Sequence, residues 1–176
     1  QRVVPAISTT TPEMAISTSP ADLVASFLRI NGDLRRRNIQ TIVEQARKTS
    51  RKMLWKDAFQ ALGNASVEAG FADNRTYLYQ GKEIDRQVHL GFDLAVTQRI
   101  PILAANAGIV IYAADLGIFG NCVIVDHGMG LQSLYAHLSS ISVDVGATVS
   151  LDDELGRSGM TGLAGGDHLH FAILLH

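Results

Sequence analysis

The stretch that follows Arg75 constrains the fold more than any other part of the sequence. It contains short apolar runs, rich in β-branched and aromatic residues, which are separated by Gly, Asn and Asp. Runs of this length between turn-forming residues are typical of strands, and no long helical period interrupts them. The pattern therefore favours an antiparallel sheet system over a parallel α/β fold. Representative runs are LGFDLAV, GIVIYAAD, NCVIVDHG, GLQSLYAHL and DHLHFAILL.

The first 72 residues follow a different pattern. Residues 1–19 are rich in Ser and Thr, which predicts an extended arm or linker. Ser19, Pro20 and Asp22 then form a helix-start signal, because each suits the first turn of a helix. Apolar residues at helical spacing predict a helix pair or one kinked helix as far as Thr49, followed by a connecting segment over residues 55–72. The predicted fold class is mainly β with an N-terminal helical segment (α+β), divided into residues 1–72 and 73–176.

The charge of the chain excludes one class of function. The formal net charge is −2, whereas a general nucleic-acid binder needs a basic face, so no nucleic-acid partner is expected. Four arginines of the helical stretch are interpreted as a solvated helix face, with contact to a polyanion as the alternative. They are Arg35, Arg36, Arg37 and Arg47.

All six histidines lie in the β-rich part of the sequence, and two of them are one residue apart. Side chains two positions apart on a strand point to the same face. His168 and His170 are therefore expected to face one site, while Leu169 and Phe171 face a core. A single histidine in a strand is usually a hydrogen-bonded structural residue, and this is the interpretation of His127 and His176.

The combination of histidines with a nearby aspartate indicates a metal site. His89 and Asp93, together with one imidazole from the last strand, make a set of two histidines and one aspartate. Such a set suits a catalytic zinc ion with one position left open for water, whose pKa the metal lowers. A redox iron uses the same ligand types, so the ligands alone leave the metal open. Gly91, between the two residues, permits a close backbone approach or a bend.

Motif order and spacing then connect these residues to a known family. His89-x-Gly-x-Asp93 is followed by the run from GNCVIVDHG through YAHL to GGDHLHF, and this arrangement resembles the catalytic domain of the lysostaphin/LytM-type zinc metalloendopeptidases. The resemblance covers the chain from about Arg75 onward. It implies a compact antiparallel β-sheet catalytic domain with one Zn²⁺ per chain, bound by His89, Asp93 and His170. His137 and His168 would be the two catalytic histidines that do not bind the metal.

The resemblance also implies a substrate and a location. We expect a zinc-dependent endopeptidase that hydrolyses stem-peptide cross-links of bacterial peptidoglycan through a metal-activated water. Alternatives are a non-catalytic LytM-type module that activates another cell-wall hydrolase, and a metallopeptidase that cleaves other proteins. Because peptidoglycan lies outside the cytoplasmic membrane, an exported protein of the periplasm or cell envelope is expected.

Several features near the motifs leave alternatives open. Asp167 is interpreted as orienting a neighbouring imidazole or as a solvated strand edge, and three tyrosines as groove or packing residues. The residues before Arg75 are interpreted as a regulatory segment, a dimerisation element or a spacer from a membrane anchor upstream, and the oligomeric state stays open. Relatives commonly continue beyond the metal-binding strand. Whether the domain is complete at its C-terminus is therefore an open question. The tyrosines are Tyr77, Tyr79 and Tyr135.

Overall fold

In the part of the chain that the structure describes, a helical stretch with a local irregularity precedes the sheet. The computed structural model describes residues 19–60, 62–95 and 97–176, so the arm predicted for residues 1–18 lies outside the described residues. Helix α1 (Pro20–Arg29) begins at the predicted cap, where the Ser19 hydroxyl accepts a hydrogen bond from the Asp22 amide at 3.3 Å. A π-helical turn (Ile30–Leu34) leads directly into helix α2 (Arg35–Gln45). Of the two predicted forms, the chain adopts the continuous helical path.

The described residues beyond the helical stretch form twelve strands, which build an almost entirely β-sheet domain. They make a seven-stranded sheet in the order β1-β4-β12-β8-β7-β6-β10, a three-stranded sheet in the order β5-β11-β9, and a β2–β3 hairpin. Every pairing is antiparallel, which confirms the predicted fold class. The strands are β1 (Ser66–Ala69), β2 (Asn74–Tyr79), β3 (Lys82–Val88), β4 (Phe92–Ala95), β5 (Pro101–Leu103), β6 (Gly108–Asp115), β7 (Asn121–Gly128), β8 (Leu131–Leu138), β9 (Ser140–Ile141), β10 (Thr148–Val149), β11 (Glu154–Arg157) and β12 (His168–Leu175).

The large sheet buries apolar side chains on both faces, following the two-residue period of its strands. On β7, Val123 and Val125 belong to the main core cluster, whereas Cys122 and Ile124 belong to a second cluster on the other face. On β12, the main core takes Leu169 and Phe171, as the alternation predicted. The alternating residues His168 and His170 therefore point to the opposite face of the sheet, away from this core.

The helical segment packs against the sheet domain. Ile42 of α2 joins the second core cluster, and Ile30 and Leu34 pack against Ile118. The Asn38 side-chain oxygen accepts a hydrogen bond from the Ile118 amide at 2.9 Å. Among the described residues, no helix has both the length and the apolar character needed to cross a bilayer.

The expectation that residues 55–72 only connect the helices to the sheet is wrong in one part. Strand β1 (Ser66–Ala69) pairs with β4 at the edge of the large sheet. It was missed because three of its four residues are exposed, so the strand carries no alternating apolar pattern. The division of the chain at residues 72 and 73 stays a prediction.

Candidate metal centre and active site

The centre of the site is a triangle of three side-chain atoms. Asp93 on β4 is the direct cross-strand neighbour of His170 on β12, and His89 lies in the short link before β4. His89 Nε2 is 2.9 Å from Asp93 Oδ1 and 2.9 Å from His170 Nδ1. His170 Nδ1 is also 2.9 Å from Asp93 Oδ1. All three residues are buried, so the fold brings together the three residues that the sequence assigned to a metal.

The hydrogen bonding of His89 determines which of its ring nitrogens presents a lone pair to the triangle. Its Nδ1 lies 2.8 Å from the carbonyl oxygen of Gly70. A carbonyl can only accept a hydrogen bond, so in the neutral ring Nδ1 carries the proton and Nε2 presents a lone pair. A histidine that donates its second ring N–H to a backbone carbonyl is the usual arrangement of a metal ligand.

The spacing and chemistry of the triangle fit a zinc ion. Two imidazole nitrogens and one carboxylate oxygen are a known catalytic zinc set, and the three ligand atoms face one another in a buried cluster. Tetrahedral ligands with bonds of about 2.0 Å stand about 3.3 Å apart, so the 2.9 Å triangle needs only a slight opening. The donor set and the geometry are therefore those of a site for a small divalent cation.

Asp93 is held in its charged form by its neighbours. Burial by itself raises the pKa of this carboxyl group, but the adjacent rings of His170 and His89 and the hydrogen bond from Arg75 outweigh burial and hold the pKa well below its usual range. Arg75 donates to Oδ2, while Oδ1 faces the histidines. One carboxylate oxygen thus bonds to an arginine, and the other faces the candidate metal position.

His137 and His168 stand beside the triangle. The His137 and His168 rings lie 4.8 Å apart, and the His137 and His170 rings lie 5.9 Å apart. His137 Nδ1 donates to the Thr161 carbonyl at 2.8 Å, and His168 Nδ1 donates to the Gly166 carbonyl at 2.9 Å. In both neutral rings Nε2 is then the unprotonated nitrogen. His168 Nε2 is 3.6 Å from Asp93 Oδ1, too far for a hydrogen bond.

Burial and neighbouring imidazoles keep His137 neutral. Desolvation, followed by the charges of His170 and His168, lowers the pKa of His137 to about 3. Its backbone also adopts the left-handed conformation, with φ of +64°. A non-glycine residue held there costs roughly 1–3 kcal/mol, a cost that recurs at functional sites. Burial likewise lowers the pKa of His170.

The five residues line one open groove of about 280 Å³. One wall carries Arg75 and Tyr77 of the hairpin, and the N-terminal helical segment contributes Arg35. Phe119 adds an aromatic ring 5.7 Å from that of His170. The groove is therefore built from both the sheet domain and the helical segment.

The interpretation of Arg35 as part of a solvated helix face is wrong. Arg36 and Arg37 are exposed, but Arg35 is half-buried and lines the groove. Arg75 was also missed as a site residue, because nothing in its local sequence marks a contact with Asp93. The places of Arg35 and Arg75 in the groove follow only from the three-dimensional arrangement of α2, β2 and β4.

The structure decides some of the alternatives that the sequence leaves open near the motifs. Tyr77 lines the groove, whereas Tyr135 lies in the core and its hydroxyl accepts a hydrogen bond from the Ala105 amide at 2.8 Å. His168 Nδ1 bonds to Gly166 rather than to Asp167. His127 is a structural residue, because its ring bonds to the Ala107 carbonyl and the Ser133 hydroxyl, each at 2.7 Å.

The fold and groove are those of a lysostaphin/LytM-type domain, and comparison with known proteins gives the family. The model of peptidase family M23 matches residues 87–176, and this chain belongs to that family. Peptidoglycan DD-endopeptidase ShyA of Vibrio cholerae serotype O1 is 34% identical over 87 residues, which cover 49% of this chain and 20% of the relative. The chain spans about a fifth of the length of the curated relatives that it matches.

Solved structures agree with this assignment. A zinc-containing peptidase from Vibrio cholerae matches with a TM-score of 0.59 and 27% identity, over 68% of this chain and 37% of that one. The catalytic domain of the antimicrobial peptidase lysostaphin from Staphylococcus simulans matches with a TM-score of 0.55 and 26% identity. That match covers 64% of this chain and 81% of the lysostaphin domain.

Proposed function

We propose that this chain is a zinc-dependent endopeptidase that hydrolyses peptide bonds in the stem-peptide cross-links of bacterial peptidoglycan. The observation that carries the proposal is the triangle of His89 Nε2, Asp93 Oδ1 and His170 Nδ1 beside two further imidazoles in an open groove. Membership of peptidase family M23 supports peptidase chemistry, and the name of the relative ShyA supports a peptidoglycan substrate.

Each residue of the site has a role in this reaction. His89, Asp93 and His170 would hold the ion, with the Gly70 carbonyl orienting His89 and Arg75 orienting Asp93. A zinc ion held by these three ligands would supply the chemistry of open three-ligand sites, polarising the scissile carbonyl and lowering the pKa of a bound water.

His137 and His168 divide the proton transfers between them. Each presents an unprotonated Nε2 because its Nδ1–H is committed to a backbone carbonyl. One Nε2 takes the proton of the attacking water and returns it to the departing amine. The other ring, when protonated at Nε2, donates a hydrogen bond to the developing oxyanion.

The alternative function is a non-catalytic LytM-type module that binds and activates another wall hydrolase. Such a module needs neither a bound metal nor the paired histidines. In this chain all five positions are filled by chemically competent residues, and backbone carbonyls fix the tautomers of His89, His137 and His168. That arrangement favours the enzyme over the activator.

The substrate determines where the protein acts. Because peptidoglycan lies outside the cytoplasmic membrane, the proposal places the protein in the periplasm or cell envelope as an exported protein. Its partners are peptidoglycan peptides, and no nucleic acid is expected at a formal net charge of −2.

Metal analysis and digestion of defined cross-linked muropeptides test the proposal together. We expect one zinc per chain and release of peptide fragments by mass spectrometry, with both lost in His170→Ala. His176→Ala is the matched control, since His176 is exposed and does not line the groove. Zinc-loaded protein that cleaves no cross-link, and whose His137→Asn variant behaves as wild type in activating another hydrolase, would favour the module instead.

A further inference from the structure

Arg35 is a charged residue of the groove that the proposed chemistry does not use. It is the first residue of α2 and lines the groove together with the five site residues. Its Nε donates to the backbone oxygen of Asn31 at 3.1 Å, and one terminal nitrogen donates to the Asn31 side-chain oxygen at 2.6 Å. Asn31 is fixed in turn, because its amide donates to Asp85 at 2.6 Å. The guanidinium is therefore held in place from one side.

Within the described residues, no ion pair balances the charge of Arg35. Other arginines of the described chain have carboxylate partners, as in Arg36 with Asp33, Arg75 with Asp93 and Arg86 with Glu83. No ion pair within residues 19–60, 62–95 and 97–176 includes Arg35.

The surroundings of Arg35 disfavour its charge when nothing else is bound. Burial lowers the pKa of the guanidinium, and Arg75 lowers it further, while Tyr77 and Asp85 act in the opposite direction. Glu68 also lines the groove but is not among the charges that act on Arg35. A half-buried cation beside a second cation attracts an anion, and the negative charge of Asp93 is already committed to Arg75.

The geometry of the remaining donors indicates which anion fits. A guanidinium has five N–H donors, and Asn31 takes two of them. The other three have no acceptor in the described part of the chain. A planar, pre-oriented guanidinium binds a carboxylate through two parallel hydrogen bonds better than a lysine does.

We infer that Arg35 binds a free carboxylate of the peptide substrate, so that the N-terminal helical segment selects acidic peptides for the metal centre. The inference rests on the proposed peptidase function and names the substrate feature that this groove prefers. In this arrangement Arg75 holds Asp93 and adds positive potential, and Arg35 makes the direct contact.

Binding to metal-free protein tests the inference without requiring hydrolysis. The probes are a cross-linked muropeptide with free carboxylates and the same peptide with those groups amidated, measured by calorimetry. We expect wild type to bind the carboxylate form roughly tenfold more tightly, as for a charge-assisted pair. Arg35→Gln should bring the ratio close to one, and Arg35→Lys should give an intermediate ratio because it keeps the charge without the planar fork.

Arg36→Gln is the matched control, since it makes the same change one residue later on the same helix. Arg36 is exposed and pairs with Asp33, so the wild-type ratio should be retained. An unchanged ratio in Arg35→Gln, or no preference in wild type, would overturn the inference. Thermal unfolding of each variant checks that the helical segment is still packed.

Hydrolysis by zinc-loaded protein separates the two proposals. If wild type and Arg35→Gln cleave both peptides with the same ratio of kcat/KM, the carboxylate subsite is wrong and the peptidase function stands. If zinc-loaded wild type cleaves neither peptide, the peptidase function is wrong, while the calorimetric ratio still decides the role of Arg35.

Discussion

Gly91 lies directly against the imidazole ring of His170. A Cβ atom at position 91 would stand 2.7 Å from His170 Cε1 and 2.8 Å from Nε2. It would also stand 2.8 Å from the backbone oxygen of Phe171. The absence of a side chain at this position lets the link between His89 and Asp93 pass closely over the last strand, so the spacing His-x-Gly-x-Asp has a steric reason.

Gly91→Ala should therefore weaken the metal site. The added methyl group meets backbone as well as the ring, so His170 or the link must move away from the triangle, and overpacking of this kind costs roughly 1–3 kcal/mol. We expect zinc affinity to fall by at least about tenfold, measured by competition with a chelating dye. Gly63→Ala, where a Cβ has nothing within 4 Å, should bind zinc as wild type does. Equal affinity in the two variants would show that His170 does not depend on the space at Gly91.

Arg75→Gln tests the support of the carboxylate. Arg75 holds Asp93 Oδ2 and leaves Oδ1 for the metal, so its loss should let the carboxylate rotate. Loss of an outer partner of a ligand typically costs 10–100-fold in metal affinity, and we expect a change near tenfold by dye competition. Arg86→Gln, whose arginine pairs with Glu83 on the same hairpin, is the control. A rise in affinity would mean that repulsion between Arg75 and the cation outweighs its orienting effect.

The two histidines beside the triangle should separate metal binding from turnover. In His137→Asn and His168→Ala we expect zinc content to stay near one per chain, while kcat falls by roughly 10²–10⁴-fold because proton transfer is lost. Asparagine is chosen at 137 because it tolerates the left-handed backbone better than alanine does. Metal analysis and fragment release on the same preparations give both readouts. A variant that loses zinc as His170→Ala does would have removed a ligand rather than a proton carrier.

His127 should make stability depend on pH. Burial lowers the pKa of His127, although its bond to Ala107 and the charge of Asp126 act the other way. The unfolded chain therefore takes up a proton at this position near pH 6.5, while the folded chain does not, and stability falls as pH drops below that value. Between pH 7.0 and 5.5, His127→Gln should lose less unfolding free energy than wild type, by about 1 kcal/mol at most. Urea unfolding at both pH values measures the difference, and equal losses in the two proteins would contradict the assignment.

The fold was predictable wherever a strand buries one face in the apolar core and presents polar side chains on the other face. The alternation in HLHF placed Leu169 and Phe171 in the core and directed both histidines to the other side, as found. Strand β1 was not predictable, because the exposed run SVEA is held by backbone pairing with β4 rather than by burial. Backbone pairing of this kind leaves little trace in residue types.

The clustering of His89, Asp93 and His170 was predictable from the sequence, whereas the positions of the two arginines were not. Residue types and spacing singled out His89, Asp93 and the last strand, and the resemblance completed the set. Consecutive residues on a helix point about 100° apart, so Arg35, Arg36 and Arg37 cannot share one face. Which of the three faces the groove depends on how α2 packs against the sheet, and contacts between distant segments decide that.

The position of β12 between β4 and β8 has a consequence for biogenesis. This strand carries His168 and His170 and pairs with Asp93 on one side and Ala136 on the other, yet it follows all the other strands of the sheet in the chain. Pairings between such distant segments form late, because the intervening loop must close first. A nascent chain therefore has no complete candidate cation site until His170 has been synthesised and β12 has paired with β4 and β8. Under the proposed function, a chain released before this strand is complete would lack a cation ligand and would not hydrolyse peptide bonds.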